Sequence, residues 1–511
     1  MDGEKTSFGC GPKAFLACVD AFSLPFARAH LDQLPTLRVM LERGAFAPLQ
    51  SPAVLMSASM WPTFMTGADP GEHGQYHPFQ WDAAAMRFRR VADPHWSRRF
   101  HIEPFWHRLQ RAGVETVALD ASFSLHDEAA PCLQISNWSG QETGAVRASD
   151  PTLMVEIQRR FGRRPIGPEV PVPKTRVQSA KLRDQLIHSL RLKTEALFWL
   201  MEKKPDWRFF LAGFFEAHRG GHNLWPTEGA FASEVDRDAL LEVYKELDHQ
   251  LGCIFEKVSA KGATVILCAL HGMAANRAQN HFLPQLVSRL NALYLKERGV
   301  AVKPQGAGDD VVSVLRKTVP YSAQYALAKF LGEEVQDWVV NRGVVAGRDW
   351  RKTPALHLVS GGEGYIRLNI KGREAQGYFE PGSEELRQYK HWLRARLLAV
   401  RVAETGAPLI KAVHDVDDRW PGPRRSYLPD FMLEWAPAAP VEKIVSPDIG
   451  EITERLTTGR GGNHTGEAFM IVKGPHAADL SDVAHIRDIG GFVERLFAAR
   501  PAIRARAVSL A

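Results

Sequence analysis

Short, mostly apolar runs of strand length alternate along the chain with longer stretches whose apolar residues recur every three or four positions. The runs at 13–20, 114–120, 207–215, 263–269 and 467–473 show little of the in–out alternation of a half-solvated strand, so they predict strands covered on both faces. Helical spacing predicts a helix over 31–43, with Leu34, Leu37, Met40 and Leu41 on one face and Gly44 as its stop. Further helices are predicted at 103–111, at 180–203 with Leu182, Leu186, Leu190 and Leu197, at 233–258 and at 486–499. Lys204-Pro205-Asp206 breaks the helix at 180–203 before a strand. Strands alternating with helices predict an α/β fold, a three-layer α/β/α sandwich with a mostly parallel central sheet.

The rhythm weakens between about 276 and 360, where Gly306-Ala-Gly-Asp-Asp310 reads as a loop, so this stretch is expected to be a mainly helical insertion or cap. The division that follows is a first part of the core at 1–275, with a helical insertion near 150–205, the cap at 276–360, and completion of the core at 361–511. The 511 residues are 45% apolar and 24% charged, which fits an ordinary globular chain and excludes disordered and fibrous classes. No apolar run is long and charge-free enough to span a bilayer, and the first residues lack a secretory pattern, so the cytoplasm is the default expectation and no membrane partner is expected.

Charge and cysteines refine this only slightly. Lys and Arg exceed Asp and Glu by 64 to 58, an excess suited to an anionic substrate but too diffuse to imply nucleic acid. The densest cluster, Arg159, Arg160, Arg163 and Arg164, reads as a solvated helix end. Five widely spaced cysteines without a CxxC pair argue against a disulfide framework or a thiolate metal site, and Cys18 and Cys268 sit in apolar runs as core residues. Nothing in the sequence sets an oligomeric state.

Three predicted strands run into residues that bind metals: Asp20, the segment Glu216-Ala-His218-Arg-Gly-Gly-His222, and His271. Ligands of an open parallel sheet gather beyond the carboxyl ends of its strands, so these distant segments are expected to converge. His218 and His222 are four apart, on one face if the turn is helical, although Gly220-Gly221 also allows a tight loop. An isolated HxxxH pair is more often structural. His464, in Arg460-Gly-Gly-Asn-His464 before the last strand, is a fourth histidine candidate. The hydroxyls lie in Met56-Ser57-Ala-Ser59-Met-Trp61-Pro62-Thr63, followed by Thr66-Gly67-Ala-Asp-Pro70-Gly71-Glu-His73-Gly74. Ser57 or Ser59 reads either as a helix cap or as a nucleophile whose alkoxide a metal or base makes accessible.

Together these segments resemble the alkaline phosphatase superfamily, in its phosphodiesterase and nucleotide pyrophosphatase branch and the related predicted phosphohydrolases and phosphomutases. The most specific match is Ser57–Gly74, which looks like the family's nucleophile helix followed by TGxxPxxHG. Val19-Asp20-Ala21, the 214–222 segment, Leu270-His271-Gly272-Met273 and Gly462-Asn463-His464 follow in the family's order. Two further segments outside the catalytic set, 364–382 and Trp420-Pro-Gly-Pro423 with Pro429-Asp430, extend the resemblance over about residues 13–495. It implies a metal-dependent hydrolase of a small phosphate ester, with Ser57 as nucleophile and a divalent metal, zinc, as cofactor. One metal site would be His218, His222 and His464; the other would be Asp20, Ser57 and His271.

The sequence departs from the family pattern twice. His218 stands where the family has the Asp of DxxxH, which keeps a ligand, and three imidazoles with an open position suit catalytic zinc. Leu270 stands where the family has an Asp, and it cannot coordinate anything. One firm metal site and a second weak or absent one are therefore expected, with Glu216 and Asn276 as candidates to compensate. Phosphodiester or pyrophosphate substrates are expected over monoesters, because no Arg clamp for a terminal phosphate stands beside Ser57. Phosphoryl transfer to another acceptor, as in a mutase, would use the same intermediate, and an inactive metal- or ligand-binding relative is the reading that Leu270 keeps open. Sulfatase chemistry is excluded because Ser57-Ala-Ser-Met-Trp61 lacks the C/S-x-P-x-R signature.

Overall fold

In the computed structural model of the chain, residues 11–498 are described apart from 124–128, 141–145, 168, 227–232, 301–332, 346, 457 and 476–478. Eight strands build the central sheet: β1 (Ala14–Val19), β2 (Ala45–Leu49), β3 (Thr116–Leu119), β4 (Leu133–Ser136), β5 (Arg147–Ala148), β6 (Phe209–Phe214), β7 (Thr264–Ala269) and β8 (Ala468–Lys473). Their order is β2-β8-β7-β1-β6-β3-β4-β5. The inner strands β7, β1, β6, β3 and β4 are parallel, while β2, β8 and β5 pair antiparallel. Every residue of β1, β6 and β7 is buried, as their uninterrupted apolar runs require of strands covered on both faces.

Helices flanking these strands include α1 (Pro35–Arg43), α2 (Met60–Thr66), α3 (Phe105–Arg111), α4 (Arg176–Lys203), α5 (Glu216–Leu224), α6 (Ala239–Ser259) and α7 (Asp488–Ala498). They divide into two packed groups: α1 and α6 with α4 and α5, and α2 with α3 and α7. Side-chain alternation along β6 assigns each group a face. Phe209 packs on Phe105 of α3 and Phe497 of α7, whereas Phe210 packs on Phe15, which meets Phe255 of α6. The molecule is thus a three-layer α/β/α sandwich with a mostly parallel sheet. Cys18 and Cys268 lie in its core, and Cys18, Cys132, Cys253 and Cys268 are free thiols.

A second apolar cluster gathers residues from Phe282 to Ile452. Its centre is a four-stranded antiparallel sheet in the order Ala355–His357, Gly364–Leu368, Phe431–Trp435, Ile410–Asp415, with the helices Leu283–Glu297 and Glu384–Leu398 against it. Residues after 361 therefore contribute to both units, and the chain re-enters the large sheet at β8. The expected loop at 306–310 lies outside the described residues. The 159–164 cluster ends the helix Pro151–Phe161, with Arg159 and Arg160 exposed and Arg160 paired with Glu156. Among the described residues no helix is long and apolar enough to cross a membrane.

Candidate metal centre

The carboxyl ends of the adjacent strands β1, β6 and β7 deliver Asp20, His218 with His222, and His271 to one place. Asp20 directly follows β1 and is buried, its backbone N–H bonded to the Phe214 carbonyl of β6. The 216–224 segment is the helix α5 rather than a loop, so His218 and His222 project one above the other from a single face. His271 follows β7 and opens into the strand Gly272–Ala275, which pairs antiparallel with Gly462–Thr465 and sets Met273 opposite His464. That pairing brings the fourth histidine in from the far end of the chain.

Glycine at two positions permits the approach. A β-carbon on Gly221 would lie 2.7 Å from the Met273 side chain, and one on Gly462 would lie 2.2 Å from the Gly221 carbonyl oxygen. Gly221 of α5 therefore serves close packing against the strand pair that carries Met273 and His464. Below α5, the Lys193 ammonium lies fully buried 3.2 Å from Asp120 and 3.9 Å from Glu216, and it donates to the Gly213 carbonyl. Glu216 also accepts from Ser189 at 2.7 Å and from Ser139 at 3.2 Å. It is consumed in this scaffold and does not replace the missing metal carboxylate. Asn276 does not either: its amide bonds the Arg460 carbonyl and the Ala278 N–H.

Two groups of metal-ligating side chains converge, His218 with His222 and His464, and Asp20 with His218 and His271. The Nε2 atom of His218 lies 3.0 Å from Nε2 of His222 and 2.9 Å from Nε2 of His464. The opposite nitrogens fix two tautomers. His222 Nδ1 donates to the Gly462 carbonyl at 2.8 Å, and His218 Nδ1 donates to Asp20 Oδ2 at 2.5 Å. With both rings neutral, the two Nε2 lone pairs face one another at 3.0 Å. A cation between them relieves that opposition. Zn–N bonds of about 2.0–2.1 Å in a tetrahedron set nitrogens about 3.3 Å apart, close to what is seen. Burial, with the Arg460 charge and the neighbouring histidines, holds His222 and His464 well below the usual histidine range, so both are neutral and ligand-competent.

The second group is poorer. Asp20 receives the Trp61 indole N–H at 3.1 Å as well as His218, and although burial opposes its charge, His218, His271 and Trp61 together keep its carboxyl below the usual range. His271 is fully buried with neither ring nitrogen hydrogen-bonded, lies 3.7 Å from Asp20, and is pushed down to about 3 by burial, an effect that Asp20 opposes. Leu270 beside it is completely buried and offers no donor.

Ser57 occupies the short turn Ser57–Ser59 ahead of α2 and is 6% exposed. Neither serine side chain caps a helix, although Ser59 stands at the N-cap position of α2. Ser59 donates to the Gln75 carbonyl at 2.6 Å, while both the hydroxyl and the N–H of Ser57 donate to Oε1 of Glu363. Glu363 was not singled out by the sequence, where its only mark is an acid set among glycines, Gly361-Gly-Glu-Gly364. A second unanticipated pair is Glu169 with Arg460, joined at 2.8 Å; burial disfavours its charge, but Arg460 and nearby His222 hold the Glu169 carboxyl far below the usual range. The Thr66–Gly74 stretch is structural. His73 is buried against Thr63 at 3.1 Å and pushed to about 3 by burial, and Gly71 and Glu72 carbonyls accept from Arg424, just past the Trp420-Pro-Gly segment.

A mostly parallel sheet with a metal-ligand cluster at its carboxyl edge and a buried serine beside a helix defines an alkaline-phosphatase-like hydrolase class. The fold is similar over 96% of both chains, at a TM-score of 0.50 and 14% identity, to phosphonoacetate hydrolase from Sinorhizobium meliloti 1021 in complex with phosphonoformate. Murine ectonucleotide pyrophosphatase/phosphodiesterase 5 aligns over 96% of this chain and 95% of its own, at a TM-score of 0.47 and 11% identity. No curated protein matches the chain in sequence. Residues 17–435 match the model of the type I phosphodiesterase / nucleotide pyrophosphatase family, and the chain belongs to that family, within the alkaline phosphatase superfamily. Membership supports phosphoric ester hydrolysis, and members of the family depend on a divalent metal.

Proposed function

We propose that the protein hydrolyses a phosphodiester or pyrophosphate through a covalent intermediate on Ser57, at a zinc centre held by His218, His222 and His464. The observation that carries this reading is the convergence of three Nε2 atoms, two of them with lone pairs fixed toward one another. A divalent ion bound there would act as a Lewis acid toward a phosphoryl oxygen and lower the cost of the serine alkoxide.

The chain's own residues supply the rest. Asp20 fixes the tautomer and orientation of His218 and raises its donor strength, as a carboxylate behind a ligating histidine does. The Gly462 carbonyl does the same for His222. Ser57 Oγ gives up its proton and attacks phosphorus; the leaving oxygen, an alkoxide from a diester or a phosphate from a pyrophosphate, departs with the electron pair of the broken P–O bond and takes up that proton; water then displaces Ser57 from the intermediate and returns a proton to its oxygen. The Ser57 backbone N–H, which like its hydroxyl donates to Glu363 Oε1 in the free protein, is a donor of the right type for a non-bridging oxygen that takes the place of that carboxylate oxygen. Asp20 serves His218 and Trp61, and Leu270 offers nothing, so a second ion at Asp20, His271 and Ser57 is weakly held or not held.

The same departure favours one competing reading, a binding relative without turnover. Turnover of bis-p-nitrophenyl phosphate and p-nitrophenyl phosphate, before and after chelation and after return of zinc, separates the two. Diester turnover that chelation abolishes, zinc restores and Ser57→Ala lacks supports the hydrolase. An inert zinc-replete protein, or an active Ser57→Ala, contradicts it.

A further inference from the structure

Glu363 meets the nucleophile in an unusual way. Its Oε1 accepts both polar hydrogens of Ser57, the hydroxyl and the backbone N–H, the latter at 3.2 Å. Those are the two groups that a phosphoryl group arriving at Ser57 would engage. Its other oxygen is pinned by the N–H groups of Gly361 at 3.0 Å and Gly362 at 3.1 Å. The loop itself is tied down. Ser360 donates to the Glu363 carbonyl at 2.6 Å, Trp435 donates to the Gly362 carbonyl at 2.8 Å, and Arg460 donates to the Gly361 carbonyl at 3.3 Å.

Among the described residues no lysine or arginine forms an ion pair with the Glu363 carboxylate, and Arg460, the guanidinium touching the same loop, is engaged by Glu169. Tyr365 and His77, two ionisable groups that feel Glu363, are both kept neutral by burial. A carboxylate held in place by two backbone N–H groups therefore stands against the reacting oxygen. Coulomb repulsion scales with the charge of the incoming group, so a dianionic terminal phosphate meets about twice the penalty of a monoanionic diester.

We infer that Glu363 is a specificity-determining residue, which selects monoanionic phosphodiesters over dianionic monoesters by holding its carboxylate at the phosphoryl seat of Ser57. This rests on Ser57 being the nucleophile and gives that reading a substrate class. It also assigns to the second structural unit a part in the site, because Glu363 lies between that unit's strands Ala355–His357 and Gly364–Leu368.

The test compares the zinc-loaded full chain with Glu363→Gln, and with Glu363→Ala in case the first variant folds poorly. Calorimetry measures binding of inorganic phosphate and of dimethyl phosphate, and kcat/KM is measured for p-nitrophenyl and bis-p-nitrophenyl phosphate. Loss of the charge is expected to tighten inorganic phosphate by about tenfold or more, with dimethyl phosphate changed by less than about threefold. The monoester-to-diester ratio of kcat/KM is expected to rise in the same direction. Anions that respond alike, a ratio that stays fixed, or zinc lost from both variants would each overturn the assignment. Activity surviving in Ser57→Ala would remove the nucleophile reading, while the two binding constants would still decide the role of the Glu363 charge.

Discussion

The two ligand groups at the sheet edge share His218, and each departs from the family pattern at one position, yet the departures have opposite consequences. In the group of His218, His222 and His464, one donor replaces another, and the three Nε2 atoms still meet within 3.0 Å of His218. In the group of Asp20 and His271, a buried leucine takes the place of a carboxylate, Asp20 becomes the partner that orients His218, and His271 keeps two unbonded nitrogens. A metal site tolerates an exchange of ligand type better than the loss of a ligand, because geometry and donor count survive the first and not the second. A histidine at 218 also does what an aspartate cannot, offering one nitrogen to an ion and the other to Asp20.

That contrast can be broken most forcefully at the shared residue. His218→Ala removes a ligand and unties Asp20, and is expected to weaken zinc binding by more than about a hundredfold, read by competition with a chromophoric chelator. Asp20→Asn keeps every member of the three-histidine group but loses the carboxylate behind His218, so zinc affinity should fall by about 10- to 100-fold in the same titration. Leu270→Asp sharpens the contrast from the other side: it should add a second zinc equivalent by elemental analysis, and no added metal would show that more than one ligand is missing. His271→Ala should have the smallest effect on the first zinc, about tenfold or less in the same titration, since that residue meets His464 and His218 by ring contact and not through a hydrogen bond.

Much of the fold was legible because its inner strands are covered on both faces. The runs at 13–20, 207–215 and 263–269 became β1, β6 and β7 with one or two residues trimmed at the ends. The predicted helix at 233–258 starts later, at Ala239, since the apolar spacing there does not distinguish a capped helix from the turn before it. The antiparallel sheet of the second unit was not read. Its strands are short, and Gly364–Leu368 pairs with Phe431–Trp435 across an intervening helix, so no local turn announces the pairing.

The site divides in the same way. Asp20, His218, His222 and His271 follow strands whose shared edge can be inferred from a parallel sheet. His464 reaches them through the pairing with Gly272–Ala275, which only its motif suggested. Glu363 meets Ser57 across 306 residues from a loop of the second unit, and no spacing rule connects positions so far apart. The Gly220-Gly221 pair was ambiguous for a physical reason. Glycine permits both a loop and a close helix contact, and the packing of Gly221 against Met273 and Gly462 decides for the helix.

The most direct test of the account is the zinc stoichiometry of the purified chain by elemental analysis after dialysis against trace zinc, with His222→Ala alongside. The account predicts about one tightly held zinc per chain, lost in His222→Ala. A zinc-free wild type, or a stoichiometry unchanged by His222→Ala, would contradict the three-histidine centre.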